Sequence, residues 1–377
     1  VSSSAVPVPV YFSYSFTSKV PGDMVPAFFS KAMILFNCDY SEGAHADILR
    51  RMAETNMEQT AGYGEDPYCD QARKLIAGLC GRTDLDIHFL IGGTQTNFTV
   101  IAAALRPHQC VLCADTGHIN VHESGAVEAC GHKVSAIPSP DGKLTARQIE
   151  EAWHAHWDDE TREHMPQPRM VYISQPTELG TIYSRKELQE ISGVCRRRGL
   201  YLYMDGARLG YGLCDEDNDL DLPAIASLCD AFYIGGTKVG ALFGEALVLR
   251  HEALKEDFRY IAKQKGGRLA KGRLLGIQFL ELFRDGLYFR LGAHADRLAV
   301  MLRDFCRSRG LSLPFSSGTN QQFVTMPDSV LEELGRKYGF AYLRREDETH
   351  STVRFCMSWA TREEDVRELM ADIARLC

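Results

Sequence analysis

Seven short apolar runs alternate with helical stretches between residues 44 and 250. The runs have the length of strands, and the stretches between them show helical periodicity. Strands that alternate with helices are typical of βαβ units, so the sequence predicts an α/β fold whose mostly parallel sheet is flanked by helices on both faces. Helices are predicted over 44–57, 68–81, 94–105, 145–156, 184–198 and 222–228, and strands over 87–91, 110–114, 133–138, 169–174, 200–205, 231–235 and 246–250.

The pattern changes after residue 250, which indicates a second, smaller C-terminal α/β domain. A chain of 377 residues suits one large domain and one smaller domain. We predict an N-terminal arm over 1–36, a large domain over 37–265, and linking helices with the small domain over 266–377. In this last part, helices are expected over 252–265, 274–283, 288–309, 328–338 and 362–376, and strands over 321–326 and 352–359.

Composition excludes several classes of partner. The 42 basic and 50 acidic residues give a net charge of −8 without a basic stripe, which argues against nucleic acid and anionic membranes as partners. No apolar run reaches the roughly 18 residues that a membrane-spanning helix needs. The twelve scattered cysteines indicate reduced thiols. We therefore expect a cytoplasmic protein, with an upstream targeting segment left open.

Polar residues follow the predicted strands, where an open α/β sheet binds its ligands. Gly93 and Thr94 follow the strand 87–91 and enter a helix, so they form either an anion cradle or an ordinary glycine turn with a threonine cap. His118 and His122 follow the strand 110–114 at a spacing that suits a metal on a helix. No third ligand is evident, and no metal site is predicted.

Two further strands end in charged residues. Asp205 closes an apolar strand, and Arg208 is a candidate partner for it in a structural ion pair, because an unpaired buried carboxylate is costly. Thr237 and Lys238 follow the strand 231–235 in glycine-rich company. Lysine is seldom buried without a partner. Its ammonium group either extends to water or awaits a covalent ligand.

Together these residues would place an anion cradle, a histidine, a carboxylate, an arginine and a lysine at the ends of different strands. Pyridoxal 5′-phosphate would satisfy all of them. Its phosphate suits the cradle, its aldehyde forms a Schiff base with a lysine, and a carboxylate keeps its ring nitrogen protonated. The residues thus predict a pyridoxal-phosphate enzyme.

The motifs resemble those of one enzyme family, the low-specificity L-threonine aldolases. These are pyridoxal-phosphate enzymes of the aspartate aminotransferase-like fold, and the resemblance runs in order from about Phe36 to the C-terminus. The motifs that carry it are DGARL (205–209) followed by GGTK (235–238), together with NCDYSEGAHADIL, GYGEDPYCDQA, GGTQTNF, GHINVHESGA, PTELGTIYS, GEALVL and VRFCMSWAT.

The resemblance implies a role for each residue at the strand ends. Lys238 would be the Schiff-base lysine, Asp205 would bind the ring nitrogen, and His118 would stack on the ring. Arg208 would lie beside the ring hydroxyl, and Arg354 would take the substrate carboxylate. An arginine within an apolar strand also suits bidentate carboxylate binding on physical grounds. The phosphate would be held by Gly93, Thr94, Gln95 and Thr237.

The same resemblance implies a homo-oligomer, a dimer or a tetramer, whose active sites lie at the subunit interface. Tyr63 would enter the partner subunit's site, and Arg273 would reach the phosphate there. Neither the oligomer's symmetry nor the physiological substrate follows from the sequence.

Two positions depart from the family pattern. Glu178 lies where many relatives carry a second histidine, and it would act as a different base or as a hydrogen-bond anchor. Cys38 lies where many relatives have a serine near the substrate carboxylate. His118 and His122 are the two candidate bases for the β-hydroxyl group, because imidazole titrates near neutrality. The preference between L-threo and L-allo substrates therefore stays open.

The expected activity is retro-aldol cleavage of L-threonine or L-allo-threonine to glycine and acetaldehyde. The alternatives are a β-eliminating lyase or another pyridoxal-phosphate enzyme that converts amino acids. A more remote alternative is a non-catalytic homologue that binds a ligand.

Overall fold

The computed structural model describes residues 33–377, which are built around a seven-stranded sheet of order β2-β8-β7-β6-β5-β3-β4. All its pairings are parallel except those of β8, which runs antiparallel to both neighbours. The predicted mostly parallel sheet is therefore confirmed. In chain order the strands are β1 (Ile34–Leu35), β2 (Asp86–Leu90), β3 (Gln109–Ala114), β4 (Lys133–Ile137), β5 (Gln167–Ser174), β6 (Tyr201–Asp205), β7 (Ala231–Gly235), β8 (Glu245–Leu249), β9 (Gln321–Pro327), β10 (Tyr338–Gly339), β11 (Ala341–Arg345) and β12 (His350–Cys356).

The helices follow the predicted ranges closely, with one interruption. The single helix expected over 252–265 is two helices, because Asp257 between them has a φ of 55°, which no α-helix accommodates. The α-helices are α1 (Ala46–Glu54), α2 (Pro67–Leu79), α3 (Gly93–Ala104), α4 (His118–Val121), α5 (Ala126–Ala129), α6 (Ala146–Trp157), α7 (Arg185–Arg198), α8 (Leu209–Cys214), α9 (Leu222–Leu228), α10 (Glu252–Lys255), α11 (Phe258–Gln264), α12 (Arg273–Arg284), α13 (Leu287–Ser308), α14 (Asp328–Gly335) and α15 (Glu363–Leu376).

Both faces of the large sheet are buried. Along β6, Leu202 and Met204 belong to one hydrophobic core, while Tyr203 belongs to the core on the opposite face. Successive side chains of a strand point to opposite faces, so a sheet covered on both sides needs continuous apolar strands. This explains why the apolar runs show no polar alternation.

A second sheet has the antiparallel order β11-β12-β9, and β1 pairs in parallel with β10. Strand β11 escaped prediction because it is an edge strand, where exposed residues such as Tyr342 replace the apolar pattern. The domain boundaries at 36 and 265 stay predictions, and most of the predicted arm, 1–32, lies outside the described residues. None of the helices within 33–377 is long and apolar enough to cross a membrane.

One edge of the large sheet gathers the loops that matter for function. Strands β2, β3, β5, β6 and β7 all end at this edge, because they run in the same direction. Strand β8 runs the opposite way and therefore begins there, with Glu245 opposite Leu90 of β2 and Gly235 of β7. The residues after five strands and the first residue of a sixth are thus brought together.

Candidate active site

A cleft of about 900 Å³ opens at this edge. It contains most of the site residues predicted from the sequence, although these are scattered over more than 250 positions. The predicted residues that line it are Gly93, Thr94, His118, His122, Glu178, Asp205, Arg208, Thr237, Lys238 and Arg354.

An anion cradle forms where α3 begins at Gly93. The first N–H groups of a helix have no intrahelical acceptor, and Gly92 supplies no side-chain cap, so these donors are free to bind a ligand. A Cβ atom at Gly93 would lie 3.0 Å from the hydroxyl oxygen of Tyr233, which favours glycine there. Thr237 lines the cleft as well, but its hydroxyl donates to Glu245 Oε1 at 2.8 Å.

Asp205 is buried and fully hydrogen-bonded. Its carboxylate accepts from the hydroxyl groups of Tyr172 (2.6 Å) and Tyr233 (2.5 Å), from Asn97 Nδ2 (2.9 Å) and from the Ala207 N–H (2.9 Å). Burial alone would raise its pKa, but nearby positive charge and these hydrogen bonds hold the pKa below its usual value. Asp205 is therefore kept ionised in a dry position.

The predicted ion pair between Asp205 and Arg208 is wrong. Arg208 pairs instead with Asp39, through Nε at 2.8 Å and a terminal nitrogen at 3.1 Å. Both oxygens of Asp205 already accept from tyrosine hydroxyl groups, so no arginine is needed there. Asp39 is itself fully buried and also accepts from Asn320 Nδ2 at 2.9 Å. Arg208 lines the cleft as predicted, but with a partner from the start of the described chain.

Lys238 faces the cleft among several charged groups. Burial lowers the pKa of its ammonium group, and the positive charge of Arg208 lowers it further, whereas Asp39, Asp205 and Glu245 oppose the shift. A lowered pKa raises the fraction of neutral amine, which is the nucleophilic form. The lysine that stands among glycines in the sequence is thus an amine of lowered pKa in the cleft.

A network that the sequence did not reveal orients His118. Its Nδ1 lies 2.8 Å from Glu123 Oε1, and that oxygen also accepts from Asn97 Nδ2 at 2.7 Å. Because Asn97 also donates to Asp205, its side-chain amide connects Glu123 with the buried carboxylate of Asp205. Asn97 lies within helix α3 and Glu123 in the turn between α4 and α5, and neither position gave a sequence signal of this role.

His122 lies beside His118, with 5.5 Å between the ring centroids. Partial burial lowers the pKa of His122, and the neighbouring imidazole lowers it further, so the ring is neutral near pH 7. Within 33–377, no group of three or more histidine, cysteine or carboxylate side chains could hold a metal ion.

Only one of the two carboxyl oxygens of Glu178 is held by hydrogen bonds from described residues. Its Oε1 accepts from the His118 N–H at 2.9 Å and from Ser174 Oγ at 2.7 Å, while the carboxyl group lines the cleft. Burial raises its pKa, and the negative charge of Asp205 raises it further. The side chain therefore presents a carboxyl group that retains its proton to a higher pH than an exposed glutamate.

Arg354 extends its guanidinium group from β12 into the cleft. It donates to Gln321 Oε1 and to the Asn37 carbonyl, both at 2.9 Å. Its buried Nε has no acceptor, and no carboxylate among the described residues pairs with it. The guanidinium group therefore lines the cleft without a carboxylate partner among the described residues, as a site for a ligand carboxylate requires.

Four predicted site residues do not line this cleft. The side chain of Gln95 accepts from the Ile91 N–H and donates to the Lys265 carbonyl. Cys38 Sγ lies 3.2 Å from Ser41 Oγ. Tyr63 is 46% exposed. Arg273 donates to the carbonyl oxygens of Thr55, Asn56 and Glu58, just beyond the end of α1.

Comparison with known proteins shows the family to which the chain belongs. The family model described as beta-eliminating lyase matches residues 38–329. A low-specificity L-threonine aldolase from Pseudomonas sp. (strain NCIMB 10558) is 33% identical over 349 residues, which cover 90% of this chain and 96% of the relative. The low-specificity L-threonine aldolase from Escherichia coli (strain K12) is 26% identical, and the alignment covers 76% of this chain and 84% of the relative.

Solved structures show the same relationship. Leishmania major threonine aldolase superimposes with a TM-score of 0.89 at 45% identity, covering 91% of this chain and 99% of that one. A double mutant of Thermus thermophilus aspartate aminotransferase, at 14% identity, has a TM-score of 0.67 and covers 92% of each chain. This second likeness shows the fold alone.

The fold and the cleft are those of a pyridoxal-phosphate lyase with the aspartate aminotransferase-like fold, and the chain belongs to the beta-eliminating lyase family. Within that family it is a member of the low-specificity L-threonine aldolases, which confirms the resemblance read from the motifs.

Proposed function

We propose that this protein cleaves L-threonine or L-allo-threonine, between Cα and Cβ, to glycine and acetaldehyde with the help of pyridoxal 5′-phosphate. One observation carries the proposal. A free anion cradle, an ionised buried carboxylate, an amine of lowered pKa and an arginine without a carboxylate partner converge in one cleft.

The residues of the cleft fit this cofactor. The free N–H groups at the start of α3 suit its phosphate, and Asp205 is kept ionised as a partner for a protonated ring nitrogen. Lys238 would offer an amine for the aldehyde, His118 would stack on the ring, and Arg208 would lie beside the ring hydroxyl. When bound, the cofactor supplies an electron sink for the negative charge that develops at the substrate's Cα.

The chain's own groups select and orient the substrate. Arg354 would bind the amino-acid carboxylate, because its guanidinium group lines the cleft without a carboxylate partner among the described residues, and this would fix the direction of the Cα–Cβ bond. His122 would accept the β-hydroxyl proton, because its neutral imidazole faces the cleft. Glu178 would anchor the same hydroxyl, since its position is fixed by His118 and Ser174.

We also propose that the protein is a cytoplasmic homo-oligomer, a dimer or a tetramer. Tyr63 lies outside the cleft of its own chain and exposes its side chain, which supports its assignment to a second copy's site. Arg273 is committed to three carbonyl oxygens of its own chain, so its assignment to the partner's phosphate has less support.

A coupled assay tests the reaction. The purified protein is incubated with each threonine diastereomer, and acetaldehyde is followed through a dehydrogenase while glycine is quantified separately. We expect equal amounts of both products, and their loss in Lys238→Ala. Formation of 2-oxobutyrate and ammonia would instead show elimination, and full activity of Lys238→Ala would contradict the assignment of the lysine.

A further inference from the structure

A second buried carboxyl group lies beside the anion cradle, here the start of α3 together with the turn 236–237 after β7. It stands in the motif GEALVL, at a position to which no role was assigned from the sequence. Glu245 is the first residue of β8, is only 3% exposed and lines the cleft. It pairs with Leu90 on one side and Gly235 on the other, so it lies between the two chain segments that form the cradle. A carboxylate is an unexpected neighbour for a site that binds an anion.

Both side-chain hydrogen bonds of Glu245 are with the turn after β7, which forms part of the cradle. Its Oε2 accepts from the Gly236 N–H at 3.1 Å, and its Oε1 accepts from Thr237 Oγ1 at 2.8 Å. Among the described residues, no lysine or arginine forms an ion pair with it. A buried carboxylate without a direct counter-ion would repel a phosphate placed beside it.

The hydroxyl group of Thr237 makes the conflict specific. A hydroxyl has one proton to donate and two lone pairs. While Glu245 is ionised, Thr237 Oγ1 accepts from the Gly244 N–H at 3.0 Å and directs its only proton to Glu245 Oε1 at 2.8 Å, which is nearer than the Gly244 carbonyl at 3.4 Å. It has none left for a phosphate oxygen. If Glu245 carries a proton, the carboxyl O–H donates to Thr237 instead, and the threonine proton turns to the ligand.

We propose that Glu245 takes up one proton when the cleft binds a phosphate monoester, and that this reverses its hydrogen bond with Thr237. The proton comes from solvent, the carboxylate becomes a carboxyl group, and no covalent bond of the ligand changes. The inference rests on the proposed cofactor site, because the phosphate is the cofactor's. Glu245 is then a positioning residue that acts on the phosphate through Thr237.

The surrounding charges place this protonation in an accessible range. Burial raises the pKa of Glu245 to about 8, which Lys238 opposes and Asp205 reinforces. The tyrosines around it stay neutral because burial raises their pKa values. The groups that face Glu245 from the packed elements are Lys238, Asp205, Tyr203, Tyr233 and Tyr288.

Titration calorimetry tests the proposal with pyridoxine 5′-phosphate, which lacks the aldehyde and leaves Lys238 free. The full-length chain is freed of cofactor and titrated in two buffers of different ionisation enthalpy, which reports the protons taken up. For a group with a pKa of about 8, we expect uptake of about 0.9 proton per site at pH 9 and about 0.1 at pH 7, with affinity about tenfold weaker at pH 9.

Two matched variants assign the proton. Glu245→Gln keeps a side chain that hydrogen-bonds Thr237 but cannot titrate, and it should abolish the uptake at pH 9. Asp215→Asn removes another carboxyl group of raised pKa that lies outside the cleft, and it should leave the uptake unchanged. Uptake by Glu245→Gln equal to that of the unmodified protein overturns the proposal.

The unmodified protein decides the question even if a variant fails to fold. Tight binding at pH 9 with no proton uptake overturns the role of Glu245 and leaves the cofactor site standing. Absence of binding at both pH values overturns the proposed cofactor site and the inference with it.

Discussion

Replacing Asp39 by asparagine tests the ion pair that the sequence did not reveal. The carboxylate of Asp39 is completely buried and accepts three hydrogen bonds, two from Arg208 and one from Asn320. Asparagine has nearly the same shape, so packing is preserved. It has only one acceptor oxygen, however, and its NH₂ group would face a donor of one of these two partners.

The cost follows from the buried charge that remains. Asp39→Asn leaves the Arg208 guanidinium buried without a counter-ion, and breaking a buried pair in this way costs about 3–5 kcal/mol. Burial by itself would raise the pKa of Asp39, but Arg208 and Lys238 hold it below the usual value. A lowered pKa means that the stabilisation is present above about pH 4 and is lost as the pH falls through the folded-state value.

Urea denaturation monitored by fluorescence measures this effect. At pH 7 we expect the free energy of unfolding of Asp39→Asn to be about 3–5 kcal/mol lower, with a difference that narrows below pH 4. The double variant Asp39→Asn, Arg208→Met removes the stranded charge and should recover part of the loss. A single variant within about 1 kcal/mol of the original protein, or a double variant at the sum of both losses, would refute the reasoning.

Two further substitutions test the cleft. Arg354→Lys replaces the forked guanidinium donor by a single ammonium group, so it should raise KM for threonine about tenfold or more and change kcat less. Steady-state assays measure both constants, and a KM within about twofold of the original contradicts the assignment. Tyr233→Phe removes one of the hydrogen bonds that lower the pKa of Asp205. The carboxylate should then take up a proton at a higher pH, so that on acidification cofactor affinity is lost at a higher pH than in the unmodified protein. Equilibrium dialysis measures this loss from about pH 3 to 6, because the pKa of Asp205 lies below the usual aspartate value. Tyr172→Phe removes the other tyrosine hydroxyl and should shift the profile in the same direction; an unchanged pH profile in both variants would argue against the role of these hydroxyl groups.

Much of the site could be predicted because it follows strand ends. Each apolar run ends at a recognisable polar residue, and parallel strands bring those residues to one edge whatever lies between them. Lys238, Asp205 and the turn at Gly93 were identified in this way, and the cleft contains all three. Their local signals, a lysine among glycines and an aspartate after an apolar strand, do not depend on distant contacts.

The hydrogen-bond partners of these residues were decided only by the tertiary structure. Arg208 and Asp39 are 169 positions apart, so the nearer Asp205 was the natural but mistaken choice. Asn97 and the tyrosines that hold Asp205 resemble ordinary helix and strand residues in the sequence. The tyrosines meet Asp205 because side chains of neighbouring strands on one face of a sheet lie side by side, and Asn97 reaches the carboxylate from helix α3.

Strand direction decided the rest. Glu245 reaches the cradle because β8 alone runs antiparallel within the large sheet, so its first residue lies where its neighbours end. An apolar run has the same composition in either direction, and nothing in its letters states which way it enters the sheet. The sequence by itself therefore determined the fold class and which strand-end residues lie in the cleft, whereas the packing of distant strands determined which groups hydrogen-bond to those residues and shift their pKa values.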